Sequence, residues 1–300
     1  MRGLFFDDAI GSIPLGGACP VTAYARPRKS LGQHFLRDSR VVARIVDAAE
    51  LTPRDIVVEI GPGRGALTQR LARQADRVVA VELDTQLCRE LPARLDYPEN
   101  LRCVVADARE ADLPSLALQP LEEGREDYKV IGNLPYYAAN PIIRRVLESE
   151  PPPSLALFMV QREVADSMTA TPGSMSMLSV ATQYYADARL VCSVPPAAFR
   201  PPPKVRSAVV RLDVRKQPGV DTPDRDLFFH VVRAGFSAPR KQLHNSLGHG
   251  LGIGAAVAAA VLARAGLDGR RRPATLSLPE WASVCAAWQE FEPETERLAD

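Results

Sequence analysis

Between residues 56 and 75 an apolar run passes into a cluster of glycines and then into a helical pattern, and no other stretch limits the fold so strongly. The segment reads Val57-Val58-Glu59-Ile60-Gly61-Pro62-Gly63-Arg64-Gly65-Ala66-Leu67-Thr68. Glycines tolerate φ > 0 and let a ligand approach the backbone where a side chain would clash. A buried strand entering such a turn therefore suits a nucleotide-type cofactor. Gly61, Gly63 and Ala66 formally satisfy the dinucleotide pattern GxGxxG/A, so a nicotinamide site has to be weighed. A purely structural tight turn is the plainer alternative.

Around that turn β-like and helical runs alternate. Ile56–Ile60, Arg77–Val81, Leu101–Ala106, Lys129–Gly132 and Leu155–Val160 read as strands. Helical periodicity begins at Ser39, where Val41, Val42, Ile45, Val46 and Ala49 share a face behind Asp38 or Ser39 as N-cap. It returns at Ala66–Ala75, Thr85–Leu95, Pro141–Glu148 and Arg162–Ala170. Near-continuous apolar strands alternating with helices predict a parallel sheet covered on both faces. Arg189–Val194 and Ser207–Val214 flank the Pro-rich segment Pro195–Pro203, a loop short enough for an antiparallel hairpin at the sheet edge. After Gln217-Pro218-Gly219 the pattern is helical, over Asp224–Phe236, Pro239–Leu247, Ala255–Ala265 and Pro279–Glu290. The expected architecture is α/β: a doubly wound, mostly parallel, Rossmann-like domain over residues 26–216, then a small helical domain over 217–300. Residues 1–25 read as a mobile N-terminal extension.

Total charge is uninformative until it is resolved along the chain. Lys plus Arg number 37 and Asp plus Glu 36 in 300 residues, which argues against a histone-like binder. Yet residues 193–272 carry 14 basic and 5 acidic residues, a local +9. Residues 1–192 carry 22 against 25, and residues 273–300 carry 1 against 6. A basic belt between two acidic stretches suits local contact with a nucleic acid. Cysteines at 19, 88, 103, 192 and 285 form no CxxC pair and no zinc-ligand spacing. They fit a reducing cytoplasm better than a disulfide framework, and they imply no metal. The longest uncharged apolar stretch, Leu251–Ala263, is Gly-interrupted and too short to span a bilayer, so no membrane is expected.

Three carboxylates tilt the Gly-rich site toward S-adenosylmethionine. Glu59 precedes the turn, at the cofactor's amino-acid end. Glu82 closes the second strand about 20 residues on, where a carboxylate can accept from both ribose hydroxyls. Asp107 closes the third, placed to bond the exocyclic amine of the cofactor adenine. Each alone is an ordinary strand-end residue, and Asp84 is a rival to Glu82 whose plainer role is to cap the following helix. Three at successive strand ends are harder to explain by chance.

After the fourth strand comes Gly132-Asn133-Leu134-Pro135-Tyr136-Tyr137. The N6 lone pair of adenine is delocalised into the ring, so this nitrogen is a poor nucleophile. The Asn133 side-chain oxygen and the Leu134 carbonyl can accept from both N6–H groups and favour a pyramidal nitrogen. Pro135 fixes the turn, and Tyr136 can stack on a flipped base.

With these motifs the chain resembles the ribosomal RNA adenine N6,N6-dimethyltransferases of the small-subunit type, from about Arg28 to Leu247. The likeness opens with Lys29-Ser30-Leu31-Gly32-Gln33-His34-Phe35-Leu36, a segment that in this family folds over the cofactor. It implies cofactor contacts from His34, Leu36, Gly61, Glu82, Asp107 and Asn133, beside Glu59 and Gly63 of the Gly-rich turn. Phe199-Arg200-Pro201-Pro202-Pro203-Lys204-Val205-Arg206-Ser207 resembles the family's loop beside the target base. There Phe199 is either a second stacking surface or a core anchor. Phe236–Leu247 resembles the helical-domain signature, and Lys204, Arg206, Arg233, Arg240, Lys241 and the run Arg270-Arg271-Arg272 are expected on phosphates. A solvated basic face is the alternative for any one of them. The implied activity is transfer of methyl groups to N6 of two adjacent adenines in a hairpin near the 3′ end of small-subunit rRNA. The implied partner is the immature small ribosomal subunit, met by a cytoplasmic monomer during ribosome assembly.

Some positions depart from the family. Ala138-Ala139-Asn140 replaces a frequent small hydroxyl pair, and Ser167 and Thr171 replace usual basic residues. An acidic insert, Glu122-Glu123-Gly124-Arg125-Glu126-Asp127, should point away from RNA. The rival enzyme is the resistance-type methyltransferase of large-subunit rRNA, which shares the chemistry. An assembly factor without essential catalysis is a rival of another class. A nicotinamide dehydrogenase explains neither Asn133–Tyr136 nor the basic belt.

Overall fold

Each apolar run between turn residues takes the strand or helix that buries it, and the strands meet in an order that leaves a crevice at their carboxyl ends. The structure, a computed structural model, describes residues 33–119, 127–222 and 224–297. The first-described elements are a two-residue strand β1 (Phe35–Leu36) and helix α1 (Ser39–Ala49). Asp38 caps α1 by accepting from the N–H groups of Arg40 and Val41, as its position predicts. Then follow β2 (Ile56–Ile60), α2 (Thr68–Leu71), β3 (Arg77–Glu82), α3 (Thr85–Arg94), β4 (Leu101–Val105) and α4 (Leu113–Leu118). The second half of the domain has β5 (Lys129–Asn133), α5 (Ala139–Leu147), β6 (Leu155–Gln161), α6 (Arg162–Met168) and α7 (Met177–Tyr185). It closes with β7 (Ala186–Val194), β8 (Phe199–Arg200) and β9 (Ser207–Val214). Helices α8 (Arg225–Gly235), α9 (Leu243–Leu251), α10 (Gly254–Arg264) and α11 (Leu278–Arg297) complete the described chain.

The main sheet runs β4-β3-β2-β5-β6-β9-β7. Strands β2 to β6 are parallel, and β9 is antiparallel to both β6 and β7. From β2 the chain steps outward to β3 and β4, then returns to β5 on the other side of β2. This reversal is the topological switch point at which open α/β sheets bind ligands. Side chains alternate across the sheet: Val57, Ile131 and Leu157 pack toward α1 and α2, while Val58, Val130 and Phe158 pack toward α4 and α5. Burial on both faces is what the unbroken apolar strands required. A third core joins Phe228, Val232, Leu247, Val261, Trp281 and Val284 of the C-terminal helices to Val180 and Tyr184 of α7.

Several boundaries differ from the sequence expectation. The α-helix after the Gly-rich turn is only Thr68–Leu71, because the chain tightens into turns such as Gln74 N–H to the Leu71 carbonyl. The α9 helix begins at Leu243 rather than Pro239. Lys241 N–H closes a turn onto the Ala238 carbonyl and Gln242 is extended, so Arg240 and Lys241 lie on a loop. Helices α4 and α7 were not anticipated. Nor was the pairing of β1 with β8, which sets Phe35 opposite Arg200 and Leu36 opposite Phe199.

Cys88 and Cys103 are joined by a disulfide, with Cα atoms 5.7 Å apart, which corrects the expectation of free thiols at these positions. Their spacing hid the pair because α3 and β4 meet only in the fold. Cys192 and Cys285 are free and buried. No single helix among the described residues is long and apolar enough to cross a membrane. The proposed extension at 1–25, Lys29–Gly32 and residues 122–126 of the acidic insert lie outside the described residues.

Candidate active site

A cleft of about 810 Å³, counting space open to solvent, lies over the ends of β2, β3, β4 and β5. Gly61, Gly63, Glu82, Asp107, Asn133, Leu134, Pro135, Tyr136 and His34 all line it. Residues scattered over a hundred positions meet there because parallel strands bring their carboxyl ends to one edge. Gly61 and Gly63 adopt φ of +69° and +55°. A Cβ on Gly61 would stand 3.2 Å from the Asn133 carbonyl oxygen, and one on Gly63 would stand 2.9 Å from the Phe35 ring. Only glycine suits both the torsion and the space.

Glu82 is buried at the tip of β3. Its carboxylate accepts from the Gly63 N–H at 3.2 Å and the Asp84 N–H at 3.0 Å, tying the glycine turn to the neighbouring strand. Burial raises its pKa, although these bonds oppose the shift. Asp84 turns away to cap α3 through the N–H groups of Gln86 and Leu87, the role foreseen as its alternative. Asp107 stands at the end of β4 and is gripped by Arg109, whose side-chain hydrogen bonds hold its carboxyl below the usual range.

Glu59 and Leu36 are placed differently from the main cleft. Both line a smaller adjoining pocket that shares Phe35, Gly61, Gly63 and Asn133 with it. Glu59 is 1% exposed, and its Oε2 has no hydrogen-bond partner. Burial pushes its carboxyl up to about 8; the proximity of Thr68 opposes this, and nearby Glu82 adds to it.

The Asn133 side chain donates through Nδ2 to the His34 carbonyl at 3.0 Å, which leaves Oδ1 as the acceptor. Leu134 N–H donates to the Met159 carbonyl at 3.1 Å and anchors the turn to β6. Pro135 holds φ −64° and ψ 131°. Tyr136 is half-buried and bonds Ser207 through its hydroxyl at 2.6 Å; burial pushes its phenol pKa up. The His34 ring lies over Tyr136 with centroids 5.9 Å apart, while its Nδ1 contacts the Pro201 carbonyl at 2.8 Å.

Phe199 lines neither pocket. It is 5% exposed and packs in the core with Leu36, Val41 and Val209, so of its two sequence readings this structure adopts the core anchor and not the stacking surface. Its place in β8, paired with β1, explains the burial. Lys204, Arg206, Arg233, Arg240 and Lys241 are all exposed. Arg271 is instead committed to Glu280, with a second bond to the Thr275 carbonyl, and holds the start of α11. Arg270 pairs with Asp268 at 3.5 Å. Ser167 bonds Ser176 at 2.6 Å at the start of α7, so this departure from the family serves packing in the fold.

Sequence reasoning missed other residues that line the cleft: Gln33, Phe35, Leu83, Ala108, Arg109, Tyr137 and Ile142. Leu83 and Arg109 closely follow the strand-end carboxylates, a signal that could have found them. Ile142 faces the cleft only through the packing of α5. Two carboxylates on separate strand tips, apolar Leu83, Ala106 and Ile142 nearby, and a glycine cradle fit a cofactor with a ribose diol and an adenine.

A mostly parallel sheet with an antiparallel β9 and a cofactor cleft at its switch point has the Rossmann-like architecture that methyltransferases share. A family model described as ribosomal RNA adenine dimethylase matches residues 25–283, and the chain belongs to that family. A ribosomal RNA small subunit methyltransferase A of Pelotomaculum thermopropionicum is 46% identical over 265 residues, covering 86% of this chain and 90% of the relative. The 23S rRNA methyltransferase ErmE has a crystal structure with TM-score 0.66 and 30% identity, covering 85% of this chain and 99% of that one. A dimethyladenosine transferase from Plasmodium falciparum shares the fold, with TM-score 0.72, 24% identity and coverage of 87% and 98%.

Proposed function

We propose that this chain transfers methyl groups from S-adenosylmethionine to N6 of two adjacent adenines near the 3′ end of small-subunit rRNA. Its partner is the immature small ribosomal subunit, met by a cytoplasmic monomer. The observation that carries this is the Asn133–Tyr136 turn standing in one cleft with Glu82 and Asp107. The 46% identity to a small-subunit enzyme, against 30% to ErmE, favours the small-subunit substrate.

In this reading Glu82 accepts from the ribose hydroxyls and Asp107 from the adenine amine. Each Glu82 oxygen already takes one backbone N–H, and each retains lone-pair capacity for a hydroxyl. S-adenosylmethionine supplies an electrophilic methyl group on sulfur. The protein's part is to present the nitrogen. Asn133 Oδ1 and the Leu134 carbonyl accept from the two N6–H groups, and Tyr136, braced by Ser207, gives the base a face to stack on. Alignment matters more than a strong base, because N6 becomes acidic once alkylated.

Two expected results check the cofactor and RNA assignments. Glu82→Ala should weaken cofactor binding about 10- to 150-fold, since hydrogen bonds to charged groups are worth roughly 1.5–3 kcal/mol. Titration calorimetry measures it, and wild-type affinity would remove Glu82 from the site. Replacing Arg240 and Lys241 with Gln should lower the slope of log affinity against log salt for RNA by about one for each phosphate that is no longer neutralised. An unchanged slope would place the RNA elsewhere. The substrate itself is tested by offering undermethylated small and large subunits separately. Methylation of the small subunit is expected, and exclusive methylation of the large one would overturn the proposal.

A further inference from the structure

Asp107 and Arg109 form a closed arrangement at the tip of β4 that methyl transfer does not itself require. Arg109 Nε lies 3.0 Å from both carboxylate oxygens, Nη2 also bonds Oδ2, and the Arg109 backbone N–H donates to Oδ1 at 2.9 Å. A carboxylate has about four lone-pair positions, so Arg109 takes most of them and leaves little freedom of direction for the rest. The loop that carries the pair is fastened from a second side. Arg145 of α5 donates to the Ala111 carbonyl at 3.2 Å and reaches the Glu110 carbonyl at 3.5 Å. Asp107 and Arg109 both line the cleft. The side chain of Asp107 is 21% exposed, so without a partner it would be free to rotate toward water.

We infer that Arg109 is the positioning residue for Asp107, and that the pair makes the cleft select a 6-amino purine over a 6-oxo purine at the base end of the cofactor. This rests on the assignment of Asp107 to the adenine amine above. An amine donates into a fixed, ionised carboxylate, whereas a 6-oxo group sets one acceptor against another. Asp107 and Arg109 are 21% and 44% exposed, so the mismatch arises only once a bound base covers the carboxylate; an acceptor then faces an acceptor with no water between, which rejects the ligand more strongly than a loss of apolar burial does. That penalty exists only if the carboxylate cannot turn aside, and the Arg109 fork supplies the restraint. A Lys at this position would keep the charge and lose the two-pronged geometry.

Calorimetric titration of the full-length protein, without RNA, with S-adenosylhomocysteine and with S-inosylhomocysteine tests this. The wild type should prefer the adenosyl compound. Arg109→Ala should narrow that preference by about tenfold, the scale of one charged hydrogen bond, with Arg109→Lys in between. A general loss of structure would weaken both compounds together and leave their ratio unchanged. Asp107→Ala separates the two assignments. If it leaves the ratio at the wild-type value, Asp107 does not read the base, and the role of Arg109 falls with it. If it collapses the ratio while Arg109→Ala retains it, Asp107 reads the base unaided and the positioning role of Arg109 is overturned.

Discussion

Replacing Asn133 with alanine should lower the rate of methyl transfer about 10²- to 10³-fold, the scale on which one preorganised hydrogen-bonding group at a reacting centre is felt. In the proposed reaction the amide at the tip of β5 is the group that orients the N6 nitrogen. The fold should survive the change. Strand β5 is held by backbone pairing to β2 and β6, and Leu134 is anchored to Met159 by its own N–H. The side-chain bond from Asn133 to the His34 carbonyl accounts for about 1 kcal/mol of stability at most. Single-turnover kinetics with saturating cofactor and small subunits isolate the step, while a denaturation curve checks the fold. Turnover within about threefold of wild type would remove Asn133 from the reacting centre.

The second large effect concerns stability and pH. Glu59 has a carboxyl pushed up to about 8 in the fold against an ordinary 4.5. Below pH 4.5 folded and unfolded chains both hold the proton, and the residue costs nothing. As pH rises the unfolded chain releases it first, so stability falls with increasing pH and the loss is complete only above the folded value. By pH 7 the difference, from an ordinary 4.5, amounts to about 3 kcal/mol through this residue. Glu59→Gln removes the titration while keeping the shape. Urea denaturation of both proteins between pH 5 and 8 should show the wild type losing stability relative to the variant, by most of that amount. Parallel curves would mean that Glu59 is ionised in the fold at neutral pH.

What the sequence made visible follows from how local the cause was. The strands, the parallel sheet and the Gly-rich turn were readable because unbroken apolar runs and φ > 0 glycines carry their reasons within a few residues. The strand-end carboxylates were readable for a related reason: in a parallel sheet, sequence position alone places Glu82 and Asp107 on one edge. Phe199 was ambiguous because its burial depends on β8 pairing with β1, some 160 residues away. The Cys88–Cys103 bond was missed because it too is a tertiary event between α3 and β4. Arg271 looked like part of a phosphate-binding run until Glu280, from the acidic tail, claimed it. Basic residues announce charge in the sequence, and only the fold decides which charges are already spent.

In the proposed function this cleft methylates paired adenines of the small subunit. Undermethylated small subunits incubated with methyl-labelled S-adenosylmethionine, followed by mapping of the modified nucleotides, test it most directly. Label is expected at N6 of two adjacent adenines near the 3′ end of the rRNA, reaching four methyl groups per RNA, and accumulating about 10²- to 10³-fold more slowly with Asn133→Ala. Label confined to large-subunit rRNA, or to a position other than adenine N6, would contradict it.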